Sequence, residues 1–263
     1  MLKNNPFHMI NYSPWPFMLS LNLLFLFMSF IKLFYHKNFL SMIFNILITF
    51  LIMFQWWRDI IRESTFLGNH TSYILKNLKW SMMIFITSEL LFFISIFWSF
   101  FHSSLSPSIE IGMNWPPLNI NPLNPLQLPL LNTLILLSSS MFVTKAHYSI
   151  NMNNYKKSLL NLFFTILMGL MFSILQLFEY HSLSFSISDS IYSSLFFFST
   201  GFHGFHVIIG TMFLFICLLR QLFNHFSNNH FFAFESASWY WHFVDLIWLF
   251  IYTFLYWWGK LFN

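Results

Sequence analysis

The sequence predicts an all-α polytopic membrane protein with seven transmembrane helices. Three observations carry that expectation. Only 12 Lys and Arg and 8 Asp and Glu occur among 263 residues, 8% of the chain, against roughly 25% in soluble domains. Hydrophobic types make up 57%, with 39 Phe. Seven apolar runs approach or exceed the roughly 20 residues that a spanning helix needs. So little charge cannot coat a water-facing surface, which excludes a soluble enzyme and a disordered chain. The +4 net charge is scattered, which excludes a nucleic-acid binder of the basic-patch kind. A single cysteine, Cys217, excludes a disulfide framework and a Cys-based metal site. Its neighbours Ile216 and Leu218 make it a buried thiol.

The runs cover residues 15–35, 40–61, 72–104, 128–150, 155–181, 190–223 and 231–260. Residues 106–129 hold six of the nine prolines, Pro107, Pro116, Pro117, Pro122, Pro125 and Pro129, so this stretch is a structured loop. No proline follows it, and the last four helices should run without proline kinks. The third and sixth runs exceed 30 residues. At about 1.5 Å per residue they outreach an apolar layer of about 30 Å and must tilt or protrude. No internal repeat supports an inverted-repeat transporter.

Orientation follows from the basic residues. Lys3, Arg58, Arg62, Lys76, Lys79, Lys145, Lys156, Lys157 and Arg220 fall on one side, nine of twelve. Lys32, Lys37 and Lys260 fall on the other. The N-terminus belongs with the nine, in the compartment of synthesis, and seven spans put the C-terminus opposite. Ala, Val and Arg occur three times each, while Phe, Ile, Asn, Lys and Met, which have AT-rich codons, abound. That bias points to an AT-rich organellar genome. It agrees with residues 1–14, which carry one Lys and no Arg-rich amphipathic presequence.

Glu89 stands near the middle of the third run. An ionised, unpaired carboxylate there costs several kcal/mol. It is therefore either protonated or partnered, and a functional role outweighs a packing role. Asp245 lies three residues after His242, on one helix face, and reads as a structural polar pair. Glu179 and Asp189 flank a short connection and read as hydrated. Among eleven histidines, His203 and His206 sit at i, i+3 between Gly201 and Gly204, with His147 and His242 on other runs. Interhelical hydrogen bonds are favoured over a metal or haem site, and the two glycines could allow close helix approach.

The second run ends in Trp56-Trp-Arg-Asp-Ile-Ile-Arg-Glu-Ser-Thr65, followed by His70. Trp57 fits the headgroup level, and Arg58 and Arg62 are one turn apart. A phosphodiester headgroup site and an aromatic belt with local pairs Arg58/Asp59 and Arg62/Glu63 both fit. Arg220, ending the sixth run, is a second candidate for lipid phosphate.

These residues resemble a known family, subunit III of cytochrome c oxidase of mitochondrial type. The likeness is carried by the Trp56–Thr65 run, Ser88-Glu-Leu-Leu-Phe-Phe93, Phe97-Trp-Ser-Phe-Phe-His102, Trp115-Pro-Pro117, Asn121-Pro-Leu-Asn-Pro-Leu126, Thr200-Gly-Phe-His-Gly-Phe-His206 and Trp239-Tyr-Trp-His-Phe-Val-Asp245. The resemblance implies helices one and two, residues 1–70, separated from helices three to seven, residues 71–263, by a V-shaped lipid-filled cleft. It implies no haem, copper or catalytic residue in this chain, with haems and copper held by partner subunits. It implies packing against subunits I and II and small accessory subunits, contact with cytochrome c only through the complex, and no nucleic acid. The complex passes electrons from cytochrome c to dioxygen, forms water and pumps protons across the mitochondrial inner membrane. On that reading the N-terminus lies in the matrix and the C-terminus in the intermembrane space. Glu89 matches the family's intramembrane carboxylate. Trp57, Arg62, Glu63 and His70 match the lipid-headgroup region, and Arg220 a basic position near bound phospholipid, with cardiolipin a candidate. No metal is expected in this chain. The sequence departs from the family at Lys145, usually Trp, at Tyr148, usually His, and at Phe223, basic in some members. Without the resemblance, two rivals stand: a transporter using Glu89 as proton relay, and a haem-bearing cytochrome using His203, His206 or His242.

Overall fold

The structure is a computed structural model describing residues 8, 10–37, 39–118, 120–228 and 230–260. Seven long helices make up most of the described residues: α1 Trp15–His36, α2 Leu40–Thr65, α3 Ser72–Leu105, α4 Leu128–Asn151, α5 Tyr155–Ser182, α6 Ile191–Leu222 and α7 Phe232–Ile251. Each coincides with one apolar run. The largest differences lie at the ends of the second and seventh runs. α2 continues four residues past the apolar stretch, through Arg62, Glu63, Ser64 and Thr65, because a helix need not stop where the apolar layer does. α7 gives way to a wider π-helical turn, Tyr252–Trp257, and a 3₁₀ turn, Trp258–Lys260.

Six of the helices, α1 to α6, are long and apolar enough to cross a membrane. α7 is not among them: Glu235, Ser236, Ser238, His242 and Asp245 interrupt its aromatics. It is nonetheless a core helix: Trp241, Val244, Ile247, Trp248 and Ile251 are buried.

The chain divides into two compact units, Met1–Leu78 and Lys79–Asn263. In the first, α1 and α2 form an antiparallel hairpin whose buried residues are polar and small: Asn22, Ser29 and Thr49, with Ile52. Asn22 Nδ2 donates to the Asn45 carbonyl at 3.1 Å, and Asn45 Nδ2 returns to the Phe25 carbonyl at 3.1 Å. Between apolar helices, small residues and such bonds hold an interface that the hydrophobic effect does not drive in lipid. The outward faces carry exposed Phe17, Leu24, Phe27, Phe44, Leu47 and Phe54.

The second unit is built around Trp241. Its indole Nε1 donates to Ser139 Oγ of α4 at 2.9 Å. The ring packs against two glycines, Gly169 of α5 and Gly210 of α6. A Cβ at either would stand 2.7 Å and 2.9 Å from ring carbons. The close approach that Gly201 and Gly204 could allow is not there: among the described residues nothing lies within 4 Å of a Cβ at Gly204, and only the Tyr180 hydroxyl, at 3.9 Å, at Gly201. The proline-rich loop is ordered as expected. Its Trp115 is buried edge-on between Phe100 and Tyr192, at ring separations of 5.6 and 5.8 Å.

The start of α6 is fixed by a capping box. Ser190 Oγ accepts the Ser193 N–H, and Ser193 Oγ accepts the Ser190 N–H, which satisfies donors a helix start leaves free. Asp189 just before it accepts from the Ser186 amide at 2.7 Å and the Ser186 hydroxyl at 2.6 Å.

Candidate functional site

Glu89 of α3 meets His206 of α6, with Oε2 3.1 Å from Nε2. The other ring nitrogen, Nδ1, lies 2.8 Å from the Phe202 carbonyl one turn earlier. A carbonyl only accepts, so Nδ1 carries a proton. In a neutral ring Nε2 is then an acceptor, and Glu89 must donate to it. In the charged alternative the imidazolium donates to the carboxylate. Either way the two side chains share one proton, and a proton-free pair would set two lone pairs against each other. His206 is fixed by Phe93, Phe202 and Tyr240, with ring centroids 5.3, 4.6 and 6.2 Å away. The pair opens on a cavity of about 380 Å³ lined otherwise by Met82, Phe85, Phe205, Ile209 and Phe213. Of the two alternatives for Glu89, the structure supplies the partner.

The other histidines differ. His203 is fully buried, edge-on to Phe172 and against Trp248 at 5.1 Å, with no hydrogen-bond partner on either nitrogen among the described residues. It therefore does not make the interhelical bond expected of it. His147 packs between Phe231 and Phe234. No hydrogen bond or ion pair joins His242 to Asp245, whose buried Oδ1 has no hydrogen-bond partner among the described residues.

Glu179 is not hydrated. It is fully buried, and the Tyr256 hydroxyl of the π-helical turn donates to its Oε1. Beside it Asn132 Nδ2 donates to Gln176 Oε1 at 3.4 Å, and the Tyr180 hydroxyl donates to Thr200 at 2.9 Å. α4, α5, α6 and the end of α7 thus meet in one buried polar layer. Sequence reasoning missed it because Glu179 lies three residues from the end of α5, where water is the default partner.

In the first unit, the end of α2 gathers charge. Trp15 Nε1 of α1 donates to Asp59 Oδ2 at 2.7 Å. Arg58 donates to Asp59 Oδ1 from Nη2 at 3.1 Å, and Arg62 Nη1 stands 3.9 Å from the same oxygen. Arg58/Asp59 is therefore paired as expected. Arg62 turns to Asp59 and not to Glu63, whose Oε2 faces His8 Nε2 at 3.8 Å. Gly68, at φ +63°, supplies the left-handed turn after α2. An Asn69 N–H bond to the Glu63 carbonyl, 3.1 Å, closes that turn and carries His70 back beside Glu63. Trp57 is half exposed, and the Arg62 side chain is 58% exposed.

Arg220 is buried at the end of α6, its guanidinium 4.7 Å over the Phe226 ring, and its Nε has no partner among the described residues. Lys145 reaches over Phe142 at 5.6 Å, a snorkelling geometry that accommodates a cation at an apolar helix surface.

The family model described as Cytochrome c oxidase subunit III matches residues 5–260. The chain belongs to that family. It is 52% identical to Cytochrome c oxidase subunit 3 of Locusta migratoria over 258 residues, 98% of each chain. It is 53% identical to that of Drosophila melanogaster over 257 residues, again 98% of each. The protein of Hippopotamus amphibius is 53% identical over 259 residues, 98% of this chain and 99% of its own. Similarity that spans nearly the whole chain makes the subunit III fold, all-helical and multi-pass, the frame for each side chain above.

Proposed function

We propose that this chain is a non-redox core subunit of cytochrome c oxidase in the mitochondrial inner membrane, with its N-terminus in the matrix and its C-terminus in the intermembrane space. It stabilises the catalytic subunit I and contacts subunit II and small accessory subunits. It retains phospholipid, and it supports proton uptake and oxygen access for a complex that reduces dioxygen with electrons from cytochrome c and pumps protons. The observation that carries the reading is the match, over nearly the whole chain, to relatives named as this subunit.

The side chains support the division of labour. Glu89 pairs with His206, and the Tyr256 hydroxyl donates to one oxygen of Glu179. Trp57, Arg62, Glu63 and His70 form a headgroup site: an interfacial indole, a bidentate cation for phosphate, and two polar groups for the rest of the headgroup. Arg220 supplies a second cation, with buried N–H capacity that the Phe226 ring cannot use. Glu89 is the functional intramembrane carboxylate of the α3–α6 contact.

Native mass spectrometry of the purified complex tests the lipid role. The expected result is retained phospholipid that is reduced in Arg62→Ala and Trp57→Ala. Equal retention in both variants would refute it. Removal of the subunit should leave the haem spectrum intact and shorten the life of the enzyme during turnover; unchanged durability argues against the stabilising role.

A further inference from the structure

We infer that His8, Glu63 and His70 form a binding site for a divalent transition cation of the zinc class. One imidazole nitrogen from each histidine and one carboxylate oxygen from Glu63 all lie within 4.8 Å of one another. Ligand atoms around a tetrahedral zinc stand about 3.4 Å apart, given metal–ligand bonds of about 2.0–2.2 Å. Rotamer adjustments at three side chains close the remaining distance. His8 Nε2 is already 3.8 Å from Glu63 Oε2. The two imidazole rings meet edge to face, 5.6 Å apart and 75° inclined, so neither stacks over the other and both can turn a nitrogen to a common point.

The donor set is two imidazoles and one carboxylate, which suits zinc over hard cations that take oxygen alone. Three protein ligands leave the fourth corner for water. The surroundings divide the local charges. Arg58 and Arg62 are both turned on Asp59, so the Glu63 carboxylate addresses the histidines rather than a guanidinium. All three ligands belong to the first compact unit and come from separate pieces of chain: the segment before α1, the last turn of α2, and the turn after it. A bound cation would cross-link them and fix the N-terminal segment to the end of α2.

The cation site shares Glu63 and His70 with the headgroup site but needs His8, whereas the headgroup site needs Trp57 and Arg62. That difference makes the two readings separable. The probe is Zn²⁺ added to the complete oxidase complex. Anomalous diffraction at the zinc edge should show a peak bonded to His8, Glu63 and His70. Equilibrium dialysis should show one bound equivalent that is lost in His8→Ala and in His70→Ala and kept in Trp57→Ala and Arg62→Ala. Absence of the peak, or an equivalent retained in both histidine variants, overturns the site. The diffraction measurement uses the unsubstituted protein and stands whether or not a variant assembles.

Discussion

His206 Nε2 and Glu89 Oε2 lie 3.1 Å apart, joining α6 to α3 inside the second unit. Because Nδ1 is committed to the Phe202 carbonyl, the contact holds one proton in either charge state. Gln at position 89 can replace that donor with an amide N–H, whereas Ala leaves Nε2 bare beside an apolar cavity. Glu89→Ala should therefore cost about 1–3 kcal/mol, and Glu89→Gln distinctly less. Thermal unfolding of the assembled complex reads the difference. Equal shifts for both variants would show that the bond does not matter.

Trp241, joined at Gly169 by the Thr211 methyl, leaves too little room for a side chain at Gly169 or Gly210. A methyl at either position meets the indole well inside van der Waals contact, and overpacking of this kind costs about 1–3 kcal/mol. Gly169→Ala and Gly210→Ala should lower the unfolding temperature. Gly204→Ala should not, and can even raise it, since Ala is the better helix former. The same melting measurement on the three variants checks the contrast.

Tyr256 donates to a carboxyl group that is shut off from water. Tyr256→Phe preserves the ring and removes the hydroxyl, leaving Glu179 short of a donor at a cost of about 1–3 kcal/mol. Pairing it with Glu179→Leu should recover part of the loss, because removing both polar partners is cheaper than orphaning one. A double-mutant cycle in thermal stability measures the coupling.

Asp189, in the connection before α6, is held below the usual carboxylate range by the Ser186 hydroxyl and amide. A folded-state pKa below the unfolded value of about 3.9 means the bonds stabilise fully above that value. The contribution is lost as pH falls through the lower, folded value. Hydrogen exchange of the Ser186 amide should stay slow through mildly acid pH and speed up only below the ordinary carboxylate range, once intrinsic exchange is corrected for. Asp189→Asn should abolish that dependence.

Much of the fold is legible in the sequence because a membrane helix announces itself by length and composition. All seven helices coincide with the apolar runs, and the proline-dense loop is a loop. The sites are less legible, because their meaning lies in pairings across the chain. Glu89 stands out by its cost alone, yet its partner His206 is 117 residues away. Glu179 looks hydrated until the π-helical turn brings Tyr256 over it. The Gly201 and Gly204 pair draws the eye as a motif, while the glycines that matter, Gly169 and Gly210, are marked by the Trp241 ring that folding inserts between them and, at Gly169, by the Thr211 methyl. Arg62 and Glu63 are neighbours in sequence but point to different partners, Asp59 and His8.

An oily bundle that serves a partner's redox chemistry should travel with that partner and carry no haem of its own. The most direct test is to capture the chain from mild-detergent extracts of inner mitochondrial membrane, record the reduced-minus-oxidised spectrum, strip this subunit, and record it again. The account predicts capture of a haem-bearing complex that oxidises cytochrome c, with the haem bands staying in the stripped remainder. Recovery of the chain without an oxidase, or with haem bands travelling on the isolated subunit, would contradict it.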